Sequence, residues 1–222
     1  ERSSKESFEE TKRLLVSDPI TLFEPTLISQ GKSARVDILK RDGNKFDLIE
    51  VKAKSWNSDK NENQKADGYP SLFQNKNGKV NADWKKYLED VTFQVLILEK
   101  VLEKHFPQIE SPVIRAFLCM PDKAKTTQID ELQKKFTLRR NEAEQGKITE
   151  IEVLFDGDRE ALKEDHFMAT VSVDVAVEEL RNGVKLKAEK FAKLLQPELI
   201  RAEPCLGAFC AKCEYRGATN DP

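Results

Sequence analysis

The sequence predicts an α/β fold, a central mixed sheet flanked by helices, and three observations carry that expectation. Residues 33–54 alternate between apolar and polar side chains on either side of Asp42-Gly43-Asn44-Lys45, the pattern of a β-hairpin with a tight turn. Residues 83–106 repeat apolar side chains at helical spacing, through Trp84, Tyr87, Leu88, Val91, Val95, Leu98 and Leu102. Residues 112–119 then form an apolar run that reads as a buried strand. A strand after a long helix is expected to lie parallel to an earlier strand, through a right-handed crossover.

Residues 6–16 read as a helix with Phe8, Thr11, Leu14 and Leu15 on its apolar side, stopped at Ser17-Asp18-Pro19. Residues 20–28 read as one strand, with Pro25 marking an edge or bulge. Ser29-Gln30-Gly31-Lys32 turns the chain into the hairpin. Residues 55–82 carry six asparagines and read as a long polar insertion with Trp56, Tyr69, Leu72 and Phe73 as apolar anchors. Asp83 is the expected N-cap of the long helix and Pro107 closes it. Tyr87, Asp90, Gln94 and Leu98 lie along one side of that helix, where a buried Gln94 needs a partner. Further on, 126–136 reads as helix, 148–155 and 168–173 as strands, and 175–195 as helix with an interruption near Asn182-Gly183.

The hairpin gathers the candidate chemistry. With Gly43 and Asn44 as loop residues, Asp37 falls opposite Glu50, Ile38 opposite Ile49, and Leu39 opposite Leu48. One face then collects Val36, Ile38, Ile49 and Val51, an apolar set expected to be buried. The other collects Asp37, Glu50 and Lys52, with Arg35 beside Lys52. Opposed carboxylates repel unless a positive charge lies between them, and a hard divalent cation suits that gap. A solvated face with a cross-strand ion pair uses the same residue types.

Charged residues make up 34% of the 222-residue chain and hydrophobic ones 39%, so it reads as one ordinary globular domain over 1–222. The net charge of −2 gives no global basic signature, so any nucleic-acid contact needs a local basic surface. No apolar run approaches the roughly 20 residues of a membrane span. Four cysteines, three of them near one end, do not make a secreted disulfide scaffold, and a reducing, cytoplasmic location is expected. His105 and His166 form no Ser-His-Asp arrangement.

Asp37 followed by Glu50-Val51-Lys52 resembles the core motif of the PD-(D/E)XK nuclease superfamily, an acidic residue on one strand and Asp/Glu-x-Lys on the next. The resemblance implies a restriction-endonuclease-like core over residues 6–119 and hydrolysis of DNA phosphodiester bonds. It implies Mg²⁺ or Mn²⁺ held by Asp37, Glu50 and the carbonyl of Val51, with Lys52 orienting the attacking water. Gln94 is similar to the glutamine of the Gln-x-x-x-Tyr helix in the RecB-like exonuclease branch. Leu98 stands in the tyrosine position, and Tyr87, two turns earlier, is the accessory candidate, as is Glu24 on the preceding strand. A catalytically inactive nucleic-acid-binding or metal-stapled interaction module is the alternative on the same fold.

Residues 204–216 hold Cys205, Cys210 and Cys213 in C-x₄-C-x₂-C spacing around Gly207, which suits a metal or cluster site. The placement resembles the C-terminal iron–sulfur staple of RecB-like nucleases, implying a 4Fe-4S cluster whose fourth cysteine lies ahead of the nuclease core, in an upstream segment or a larger protein; Cys119, which reads as a buried strand residue, is the poorer candidate. Zinc is the competing metal. Full-length protein purified without oxygen is expected to be brown and to contain iron and sulfide. One zinc per chain and no colour would assign a structural zinc site instead, and no metal at all would reduce the tail to ordinary thiols.

Overall fold

A computed structural model describes residues 3–142, 148–195, 201, 207 and 210. The chain divides into two compact units, Glu1–Lys185 and Leu186–Pro222. Helix α1, Ser4–Leu14, opens with a capping box in which Ser3 and Glu6 satisfy each other's main-chain N–H groups. Phe8, Thr11 and Leu15 form its buried side, as the spacing predicts.

Residues 20–28 form two strands rather than one. β1, Ile20–Phe23, and β2, Thr26–Ser29, part at Glu24-Pro25, where Glu24 has φ of 51° and proline has no N–H to donate. β2 pairs with β3, Lys32–Arg35, as a separate hairpin turned at Gln30 and Gly31, both at positive φ. β1 pairs instead with β4, Ile38–Asp42, which turns at Gly43-Asn44 into β5, Lys45–Val51. The β4–β5 register is the expected one, from Ile38 opposite Ile49 to Asp42 opposite Lys45.

Helix α3 runs from Ala82 to His105, with α2 at Ser58–Ala66 before it. The N-cap of α3 is Asn81 rather than Asp83: the Asn81 side chain accepts from the Asp83 N–H. β6, Val113–Pro121, returns parallel to β5, and β9, Met168–Ser172, runs antiparallel on its far side. The five-stranded mixed sheet therefore has the order β1-β4-β5-β6-β9. Residues 126–136 are not a helix. They hold a single 3₁₀ turn, Leu132–Lys135, leading into β7, Phe136–Glu142, which pairs with β8, Ile148–Phe155. Between β8 and β9 lies the short helix α4, Arg159–Glu164. Helix α5, Asp174–Leu194, passes through Asn182-Gly183 without a break. Among the described residues no helix is long and apolar enough to cross a membrane.

Alternation along the strands was expected to bury Val36, Ile38, Ile49 and Val51. The core lies on the opposite face. Leu39, Phe46, Leu48, Ala116, Leu118 and Met120 are buried there, against the Leu88, Val91, Val95 and Leu98 side of α3. Val51 is left 42% exposed and Ile38 half-buried, while Val36 and Ile49 are buried. The reason is that α3 covers the face carrying Glu50, so period-2 alternation identifies two faces but not which one the crossover helix takes.

The insertion at 55–82 is more ordered than a polar loop. Its residues supply α2, and Trp56, Leu72 and Phe73 are core residues. Trp56, Phe73 and Trp84 stack within 4.9–5.9 Å of one another, mostly edge to face. Buried Asn61 accepts from the Leu72 N–H, tying α2 to the segment that follows it. Phe73→Ala is expected to destabilise the protein by about 3–5 kcal/mol in chemical denaturation. A loss below about 1 kcal/mol would show the insertion to be independent of the core.

Candidate active site

Alternation places Glu50 on the same face of β5 as Phe46 and Leu48, so its carboxylate enters the core region and is 6% exposed. An ionised carboxylate there needs donors on both oxygens. Lys52, two residues on and on the same face, donates to Oε1 at 2.5 Å. Gln94, from the middle of α3, donates through Nε2 to Oε2 at 2.9 Å. Gln94 is itself 3% exposed, and its partner is therefore the strand carboxylate.

Asp90, one turn earlier on α3, completes the group. Its Oδ2 accepts from Lys52 Nζ at 2.9 Å, and its Oδ1 lies 3.5 Å from Gln94 Nε2. The i, i+4 spacing puts Asp90 and Gln94 on one helix face. Helical spacing puts Asp90 on the Gln94 side of α3, and a carboxylate one turn from a glutamine facing Glu-x-Lys is the signal in the sequence for its place in the site. The amide oxygen Oε1 of Gln94 is buried and has no hydrogen-bond partner.

Asp37 lies just beyond the β4–β5 ladder, which ends at Ile38–Ile49. The chain bends there because the Val36 N–H bonds to the Pro25 carbonyl and the Glu24 N–H to the Asp37 carbonyl. The Asp37 side chain reaches back across the hairpin, and its Oδ2 accepts from the Val51 N–H at 2.6 Å. A side-chain carboxylate thus takes the donor for which continued register would supply the main chain of Val36. Glu24 meets Asp37 through its backbone only; its own carboxylate pairs with Arg35 at 3.4 Å. Tyr87 is partly buried, with the ammonium groups of Lys52, Lys54 and Lys86 within 5.9, 5.5 and 4.8 Å of its ring centroid. Cys205 and Cys213 lie outside the described residues. Cys210 sits in a local turn, its N–H bonded to the Gly207 carbonyl and its sulfur accepting from the Gly207 N–H.

The electrostatics follow from this packing. Burial pushes the Glu50 carboxyl above its ordinary range; hydrogen bonds from Lys52 and Gln94 pull it back, and the negative charge of Asp37 adds to the rise. Burial works against the Lys52 ammonium, but the hydrogen bonds and charges of Glu50 and Asp90 together outweigh it and raise its value. The charge of Asp37 bears on the Glu50 carboxyl, and repulsion between two such carboxylates is what a hard divalent cation would relieve. Among the described residues no three His, Cys, Asp or Glu side chains converge as a metal site.

No family model, no curated protein and no solved structure matches this chain. The electrostatics can be checked directly. Because the Glu50 carboxyl titrates above its ordinary value, the folded state retains a proton that the unfolded chain has lost across that window. Stability therefore falls as pH rises through it. Glu50→Gln has no such proton to lose, so its urea midpoint is expected to gain on the wild type as pH rises from about 4, the ordinary carboxyl value. A difference that stays constant with pH would place Glu50 at its ordinary value.

Proposed function

We propose that the protein is a Mg²⁺- or Mn²⁺-dependent nuclease of the PD-(D/E)XK type, hydrolysing phosphodiester bonds of DNA. The observation that carries this reading is the buried Glu50 carboxylate, held by Lys52 and Gln94, on the strand whose Val51 N–H binds Asp37. The order of α1, β1, β4, β5, α3 and β6, with β5 and β6 parallel, is the order a restriction-endonuclease-like core implies. Lys54 and Lys86, within 5.5 and 4.8 Å of the Tyr87 ring centroid, place two cationic side chains beside the site, where phosphates would find an attractive approach.

A bound divalent cation would polarise the scissile phosphate and lower the charge cost of attack. Asp37, Glu50 and the Val51 carbonyl would hold it. In the hydrolysis, a water oxygen forms the new bond to phosphorus and gives up a proton, a bridging P–O bond breaks, and the leaving oxygen takes up one proton in turn. The Lys52 ammonium, fixed by two carboxylates, orients the water and offsets the developing negative charge. Gln94 holds Glu50 through Nε2, while its own Oε1 is buried without a hydrogen-bond partner. The same reading assigns Cys205, Cys210 and Cys213 to an iron–sulfur cluster, or to zinc.

A second reading, a module that binds nucleic acid without cleaving it, is favoured by one observation: both oxygens of Glu50 already have protein donors. Cleavage separates the two. With Mg²⁺ or Mn²⁺ the purified protein is expected to degrade or nick DNA, and Lys52→Ala to lower the rate by about 10²-fold or more while the circular dichroism spectrum stays unchanged. Equal cleavage by both proteins would remove Lys52 from the chemistry, and no cleavage by either would favour the binding module.

A further inference from the structure

Resting on the nuclease reading, we infer that Asp90 is a positioning residue for the metal site and that it acts through Lys52. Two carboxylates in this structure share the same two donors. Lys52 Nζ lies 2.5 Å from Glu50 Oε1 and 2.9 Å from Asp90 Oδ2. Gln94 Nε2 lies 2.9 Å from Glu50 Oε2 and 3.5 Å from Asp90 Oδ1. A cation that takes Glu50 competes with the ammonium of Lys52 for the same oxygens. With Asp90 present, Lys52 keeps a carboxylate when Glu50 turns to the cation, and it need not leave the site to do so.

The charges agree with this division of labour. Asp37, Glu50 and Asp90 against one ammonium leave two formal negative charges, matched to a divalent cation. Without Asp90 one negative charge remains, and the Lys52 ammonium faces the cation uncompensated. Asp90 is better suited to this role than to packing, since its side chain is 43% exposed and its removal opens no core cavity. Its position on α3, one turn from Gln94, fixes its height against the β5 strand through the same contacts that bury the helix.

The test is Mn²⁺ binding by calorimetry on the full chain, in the wild type, Asp90→Asn, Lys52→Met and the double variant, with folding followed by circular dichroism. Asp90→Asn is expected to weaken Mn²⁺ binding about tenfold when Lys52 is present and less than about threefold in the Lys52→Met background. Asp90→Glu, which keeps the charge, is expected to restore affinity to within about threefold of the wild type. Equal weakening in both backgrounds would overturn the inference, since Asp90 would then act as a ligand or as a charge independent of Lys52. An unchanged affinity in Asp90→Asn would overturn it as well, leaving the nuclease reading in place. Folded wild-type protein that binds no Mn²⁺ would overturn the nuclease reading, and the role of Asp90 with it.

Discussion

A carboxylate placed at the edge of a hydrophobic core is the constraint around which this site is arranged. Glu50 shares a strand face with Phe46 and Leu48, and its removal from water has to be offset by donors that water no longer provides. Those donors come from two different distances in sequence. Lys52 is supplied by the strand itself, whereas Gln94 comes from a helix 44 residues further along the chain. The carboxylate therefore ties β5 to α3, and any change in how the helix lies on the sheet would leave a buried charge without its partner.

Helix α3 serves the core and the site at once. Leu88, Val91, Val95 and Leu98 bury one flank of the helix, while Tyr87, Asp90 and Gln94 turn toward the end of β5. The aromatic cluster of Trp56, Phe73 and Trp84 holds the first turns of the helix against the insertion, so a segment of polar composition contributes directly to the rigidity of the site's approach. Lys54 shows the same economy: its ammonium donates to the Asp83 carbonyl and rests 4.2 Å from the Trp84 ring centroid.

The bend at Asp37 has an equivalent cause on the other side of the hairpin. Glu24-Pro25 separates β1 from β2, and the Pro25 carbonyl accepts from the Val36 N–H, which draws the chain away from β5 one residue before Asp37. The ladder stops, and the aspartate side chain fills the place of a main-chain acceptor at Val51. The carboxylates thus come near each other without being ladder neighbours, and the mutual repulsion contributes to the raised Glu50 carboxyl.

Local pattern determined a good part of this by itself. The Gly43-Asn44 turn and the β4–β5 register follow from turn chemistry and alternation, which act between residues close in sequence. The period of residues 83–106 determined α3, and the apolar run after it determined a parallel β6. The grouping of Glu50 and Lys52 on one face needs only the pleat of a strand. What lay beyond local pattern was decided by contacts between distant segments. Alternation offers two faces, and only the seat of α3 made the Glu50 face the buried one. Glu24-Pro25 divided one apparent strand between two sheets because each half found a different partner. Residues 136–142 became strand because β8 was there to pair with them. Asp90 joined the site because the helix brought it within reach of Lys52, a distance that no spacing in the sequence encodes.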